Sequence, residues 1–218
     1  YYRNGPKVTY SPSESIAKAF NDTAGRFVNF KQSDFNNSSL IIHENALSIA
    51  ELGSKDLVIL CKDGTIDIWN KESAKKQTLP LRTNLENQKI VIKGSSIGKF
   101  FLFEIFVGDG RKIYELYSRD GKKIEHKGLE NCNVIVFSED DSKVAFGDFN
   151  GSISVSEIKN EALIEKAVFK ELHKGAVSSL AFSKDEKLIA SGGEDMFLRA
   201  CNIDSQKLLW KDPKDPHH

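Results

Sequence analysis

A pattern that returns every 41–46 residues constrains this 218-residue chain more than any other feature. Asp63-Gly64-Thr65-Ile66-Asp67-Ile68-Trp69-Asn70 is a tight turn running into strict alternation, with Ile66 and Ile68 on one face, as a strand requires. Asp195-Met196-Phe197-Leu198-Arg199-Ala200-Cys201-Asn202 repeats it, with Cys201 where Trp69 stood. Asn150-Gly151-Ser152-Ile153-Ser154-Val155-Ser156 is a third copy, and Asp109-Gly110-Arg111-Lys112-Ile113-Tyr114 a looser fourth. The turn residues 63, 109, 150 and 195 are 46, 41 and 45 positions apart, and Asp22, 41 before Asp63, marks a fainter fifth.

The segments before the turns agree as well. Ala176 to Ser183, then Lys184-Asp185-Glu186, then Leu188-Ile189-Ala190-Ser191-Gly192 restates Val134 to Ser138, Glu139-Asp140-Asp141 and Val144-Ala145-Phe146-Gly147 from 45 residues earlier. Each unit reads strand, polar turn, strand, tight turn, strand, and a further apolar stretch such as Ala167-Val168-Phe169 or Leu208-Leu209-Trp210 closes it. A period of this length predicts repeated sheets that bury their faces on one another. The third unit is the most diverged, and its wholly apolar run from Phe100 to Val107 suits a strand buried on both faces.

His173-Lys174-Gly175-Ala176-Val177, Phe182-Ser183, Leu188-Ile189-Ala190-Ser191-Gly192 and Asp195 together resemble the WD-repeat family, and Trp69-Asn70 resembles its Trp-Asp ending. The resemblance implies an all-β fold: a propeller of four-stranded antiparallel blades, about five in this chain, spanning 1–211 as units near 5–43, 44–83, 86–126, 129–170 and 172–211. Residues 212–218 are expected to be a disordered tail or tag remnant. No unit reads as split between the chain ends and no initiator Met is present, so a fragment of a larger, seven-bladed ring is expected over closure as five.

In that family a His, a Ser or Thr, an Asp and a Trp tie the turns of each blade together. The matching positions here are His173, Ser191 and Asp195 in the last unit, with Cys201 truncating the set at the Trp position. In the second unit they are His43, Asp63 and Trp69. Asp109 and Asn150 take the Asp position in the third and fourth units. His173, Ser191 and Asp195 also spell a nucleophilic triad, but Ser191 sits inside an alternating strand rather than at an exposed turn, so the structural reading is preferred.

Composition narrows the function classes. Thirty-one basic and 31 acidic side chains give no electrostatic footprint for general nucleic-acid binding. Cys61, Cys132 and Cys201 each lie in an apolar stretch without CxxC spacing, which predicts buried reduced thiols, no metal and no cofactor, in a cytoplasmic or nuclear setting. No run is long enough for a membrane span and no signal peptide is visible. The expectation is a non-catalytic protein–protein interaction scaffold. The resemblance places Lys62, Gly108, Phe149, Glu194, Lys174 and Ala176 on its binding rim. Residues 151–177 also resemble a stretch of actin-interacting WD proteins, which act with cofilin in filament disassembly. An RNA- or ribosome-associated propeller is the other alternative.

Overall fold

The computed structural model describes residues 16–20, 27–31, 46–73, 75–79, 89–107 and 111–215. A hairpin of β1 (Ile16–Phe20) and β2 (Phe27–Lys31) comes first. Four antiparallel sheets of four strands follow in chain order, each a meander. Sheet I holds β3 (Ala46–Leu52), β4 (Asp56–Cys61), β5 (Ile66–Asn70) and β6 (Lys76–Leu79). Sheet II holds β7 (Lys89–Gly94), β8 (Phe100–Phe106), β9 (Lys112–Ser118) and β10 (Lys123–Ile124). Sheet III holds β11 (Cys132–Phe137), β12 (Lys143–Asp148), β13 (Ile153–Lys159) and β14 (Ala162–Phe169). Sheet IV holds β15 (Val177–Phe182), β16 (Leu188–Gly193), β17 (Leu198–Asn202) and β18 (Lys207–Lys211). The sheets are the repeated units of the sequence, and they stack as propeller blades.

Alternation gives each sheet a front face towards the next and a back face towards the one before. Val58, Leu60, Ile66 and Ile68 of sheet I meet Ile90, Ile92, Phe101 and Phe103 of sheet II in one buried cluster. Phe100, Leu102, Tyr114 and Leu116, from the other side of sheet II, meet Val144 and Phe146 of sheet III. Ala145, Ile153 and Val155 of sheet III meet Val177, Ile189 and Cys201 of sheet IV. β8 shows why its run lacks alternation: Phe100 to Ile105 are all buried because both faces are covered.

The turns carry a second repeat, of hydrogen bonds. Ser95, Ser138 and Ser183 each accept from the backbone N–H five residues on, at 3.0 Å, which closes the turn between the first two strands. At the inner strands, a bulge after the first residue recurs in β3, β11 and β15. These bulges link the blades: Ile92 N donates to Ser48 Oγ at 3.1 Å, Tyr114 Oη to the Asn133 carbonyl at 2.7 Å, and Asn133 Nδ2 to the Val177 carbonyl at 2.9 Å.

Residues 212–215 depart from the expected disordered tail. Asp212 N donates to the Leu198 carbonyl at 2.9 Å, and the chain turns so that Asp215 is buried. The cause is a charge inside the blade, described next.

Candidate functional site

The upper end of sheet IV holds a buried polar cluster. The tight turn between β16 and β17 places Asp195, and the loop before β15 places His173 beneath it. His173 Nδ1 lies 2.9 Å from Asp195 Oδ1, and His173 Nε2 lies 2.8 Å from Ser191 Oγ. Arg199 Nη1, which can only donate, lies 2.6 Å from the same Nδ1. Asp195 also accepts from Lys174 N at 3.1 Å and Phe197 N at 3.2 Å, pinning the loop to the turn. Burial alone raises the Asp195 pKa, but these donors and Arg199 outweigh it and hold the carboxyl below its ordinary range.

The sequence reading missed Arg199 and Asp215. Arg199 Nη1 donates to Asp195 Oδ2 at 2.7 Å, and Arg199 Nη2 pairs with Asp215 Oδ2 at 2.6 Å. Arg199 and both carboxylates are at most 5% exposed. The set truncated at Cys201 is therefore extended by a cation two residues earlier on the same face of β17. That buried cation draws residues 212–215 back onto the blade. Alternation puts residue 199 on the buried face, so the signal was in the sequence, but its partner in the tail was not.

The connections of His173, Ser191 and Asp195 are those of a nucleophilic triad. Ser191 and His173 are each 3% exposed, so the hydroxyl has no path to a substrate carbonyl. Cys132 and Cys201, buried in the blades, have thiols pushed up to about 12 and about 11, and Cys61 is raised too, each mainly by burial. None has the lowered pKa of a nucleophile. Among the described residues there is no cluster of metal-ligating side chains, and no helix long and apolar enough to cross a membrane.

The other network positions fare differently. His43, Gly108 and Asp109 lie outside the described residues. Asp63 caps its own turn, accepting from Thr65 N at 3.0 Å and Thr65 Oγ1 at 2.7 Å. Trp69 packs against Leu57, Ile59 and Cys61. Asn150 is a correction. It is exposed, and the anchoring carboxylate is Asp148, which accepts from Asn150 N at 2.9 Å and Ser152 N at 2.7 Å. A two-residue offset in the turn moved the role onto the end of β12.

Around the cluster the rim is continuous. His173 N donates to the Gly151 carbonyl at 3.0 Å, and Glu171 N to Ser152 Oγ at 3.0 Å, joining the sheet III turn to the loop. Glu194 N donates to the Ala176 carbonyl at 2.9 Å, joining the loop to the sheet IV turn. Gly151 has φ +85°, and a Cβ there would stand 1.9 Å from the His173 carbonyl oxygen, so only glycine permits the first joint. Lys174 and Glu194 are exposed on this ridge and Phe149 is half-buried; Lys62 is exposed on the equivalent turn of sheet I. Ala176 is the second correction. It is 4% exposed, lying immediately before β15 with its carbonyl bonded to Glu194 N, and its methyl is not available to a partner. Met196 was not foreseen: it is 90% exposed and sits at φ 65°, a conformation unfavourable for a non-glycine residue.

Residues 166–200 match the family described as WD domain, G-beta repeat, a stretch that runs from within β14 of sheet III to within β17 of sheet IV. The architecture and that match support one reading. The fold is a β-propeller. A chain in the crystal structure of a mitotic checkpoint complex superposes with a TM-score of 0.55 at 14% identity, covering 99% of this chain and 60% of that one. The computationally designed Ika8 protein superposes at 0.57 with 17% identity, covering 93% of this chain and 60% of its own. The chain thus spans three fifths of the length of each, and identities so low speak to the fold alone. No curated protein matches the sequence.

Proposed function

We propose that this propeller is a non-catalytic scaffold that binds other proteins through the upper rim of sheets III and IV. One observation carries the reading. The two turns and the 170–176 loop are hydrogen-bonded into a single ridge that displays Phe149, Lys174, Glu194 and Met196 over a buried ionic anchor. A ridge held this firmly loses little conformational entropy on binding, and aromatic and long apolar side chains on it suit a contact surface. Rigid scaffolds that display turns are the usual setting for recognition. The WD-type fold suggests the same role.

Affinity capture with the chain, its Phe149→Ala and Glu194→Lys variants, and Met196→Ala tests the proposal. Partners retained by the parent chain and lost by at least one rim variant support it. Partners retained equally by all refute this choice of rim. Purified actin, with and without cofilin, is the arm that tests the resemblance of residues 151–177. A salt-dependent oligonucleotide shift is the arm that would favour an RNA-associated role instead.

A further inference from the structure

Sheet II closes its outer edge less fully than the other three. In sheets I and III the fourth strand holds the third up to its first residue, pairing Leu79 with Ile66 and Phe169 with Ile153. In sheet IV the chain continues past β18, and Asp212 N donates to the carbonyl of Leu198, the first residue of β17. In sheet II, β10 pairs only with Leu116 and Tyr117 of β9. Among the described residues no strand lies on that edge from Lys112 to Glu115. The chain is drawn off the edge by sheet III. The His126 ring stacks on Phe146 with centroids 5.2 Å apart, its Nδ1 accepts from Gly128 N at 3.1 Å, and Leu129 is buried in the cluster that holds Val144 and Phe146. Between this turn and β9 is an open cavity of about 410 Å³, lined by Ile113, Tyr114, Glu115, Glu125, His126 and Leu129 among others. Further blades would not fill this notch. Blades stack on faces, and both faces of sheet II are already covered.

Strand alternation fixes what the notch offers. In an antiparallel ladder each residue turns its N–H and C=O to one side, and the side alternates along the strand. Ser118 N donates to the Lys122 carbonyl, on the β10 side, so Leu116, Tyr114 and Lys112 face that side too. Lys112 and Tyr114 therefore present backbone donors and acceptors to the notch at every second residue. An extended backbone is the ligand that matches such a row. About four residues of it, roughly 14 Å long, would run from Glu115 to Lys112. Side chains add a preference. Ile113 is 48% exposed, and an apolar residue opposite it would cover it. Glu115 and Glu125 share the Lys123 ammonium at 2.9 and 3.5 Å, two carboxylates to one cation, so a basic residue suits the position opposite Glu115.

We infer that the outer edge of β9 is a docking site for an extended peptide segment of a partner protein, added as the missing length of the fourth strand, with an apolar residue opposite Ile113 and a basic one opposite Glu115. The site is on the outer edge of sheet II and not on the rim of sheets III and IV, so it stands or falls apart from the rim proposal. Amide hydrogen exchange followed by NMR on the 218-residue chain tests it. In the free chain the Lys112 and Tyr114 amides should exchange about a hundredfold faster than the Leu116 amide, which β10 pairs. The probe is a blocked hexapeptide, serine-lysine-threonine-valine-threonine-serine, whose lysine, first threonine and valine would oppose Glu115, Tyr114 and Ile113. At millimolar concentration it should protect the Lys112 and Tyr114 amides. N-methylation of its first threonine removes the donor to the Tyr114 carbonyl and should weaken binding about tenfold, a result that needs no protein variant. Ile113→Lys should weaken the parent peptide by about tenfold as well, while Ile164→Lys, an exposed position on β14, should not. A Tyr114 amide already as protected as Leu116 in the free chain means that the edge is occupied, and overturns the inference. So does a parent peptide that leaves both amides unprotected, or an N-methylated one that binds equally well.

Discussion

Sheets II and IV solve the same packing problem with opposite chemistry. Sheet II fills the space between its neighbours with bulk. Phe101 and Phe103 are fully buried, and Tyr117 stacks on Phe101 with ring centroids 5.5 Å apart. A buried carboxylate there, Glu104, meets Lys93 at 2.6 Å and Lys112 at 2.7 Å, both reaching in from the surface. Counted from the turn serines Ser95 and Ser183, the places of Phe100, Phe101 and Phe103 are taken in sheet IV by Leu188, Ile189 and Ser191, and sheet IV is held at its upper end by His173, Ser191, Asp195, Arg199 and Asp215. Dispersion and burial tolerate relaxation, so sheet II can give a little when altered. A buried ionic cluster has no such latitude, because every member left alone is a desolvated charge. The stiffness that results is located under the ridge proposed to bind partners.

Substitutions that separate the two modes sharpen this comparison. Phe103→Ala should cost about 4 kcal/mol in denaturant unfolding, the loss of a buried aromatic plus the cavity it leaves. Arg199→Met keeps the volume but leaves Asp195 and Asp215 buried without their shared cation. About 3 kcal/mol is expected, with residues 212–215 released and newly sensitive to protease. If Arg199→Met proves nearly neutral while Phe103→Ala does not, the ionic cluster contributes no more than a hydrophobic filling and the contrast fails. Cys201→Trp restores the residue the family resemblance calls for. It should nevertheless destabilise by about 2 kcal/mol, since Cys201 is 0% exposed among Ile189, Ile203 and Val155 and the site is packed for a small side chain.

Acid acts on both sheets: burial raises the Glu104 carboxyl of sheet II, but Lys112 and Lys93 outweigh it and hold it below its ordinary range, as Asp195 is held in sheet IV. The Asp195 carboxyl is held below its ordinary range when folded, so its stabilisation is complete above the unfolded value near 3.9 and is lost as pH falls through the lower folded value. Unfolding free energy measured from neutral pH downward should fall less steeply in Asp195→Asn than in the parent chain. An identical slope would remove Asp195 as an acid-sensitive group. Smallest of all, Met196→Gly relieves the positive φ of the rim turn and should stabilise by about 0.5–1 kcal/mol. Were Met196 a partner contact, the same change would weaken binding while strengthening the fold.

The junctions between blades repeat the contrast in the turns. Where sheet I meets sheet II, the backbones of Gly53 and Gly98 touch: a Cβ on Gly98 would stand 2.8 Å from the Leu52 carbonyl oxygen. Where sheet II meets sheet III, Asp141 reaches across, accepting from Ser95 Oγ at 2.5 Å and Lys99 N at 3.0 Å. Glu186 does the same one blade later, accepting from Asp140 N at 3.1 Å and Lys143 Nζ at 2.7 Å. Gly98, Asp141 and Glu186 all have positive φ. One backbone geometry thus serves either a bare contact or a carboxylate clamp, and nothing in a single repeat says which.

The repeat was legible because its causes are local. Tight turns need Asp, Asn or Gly, a strand with two distinct faces alternates, and both leave marks within eight residues, as at Asp63–Asn70 and Asp195–Asn202. Even the doubly buried β8 announced itself, since a strand covered on both sides loses alternation. The assignments that failed depended on register or on distant partners. The two-residue difference between Asn150 and Asp148 is invisible until the strands pair. Ala176 was expected on the binding rim, and is buried beside Val177 at the entry to β15. Arg199 could be placed on a face by alternation, but its second carboxylate arrives from 16 residues further on, by a turn whose energy comes from the buried charge it meets. The sequence by itself thus determined the kind of blade, its number of strands and the turns between them, because these follow from short-range sterics and hydrogen bonding. Which side chains are buried together was decided only when the sheets stacked, because burial and ion pairing are properties of surfaces that meet across the whole chain.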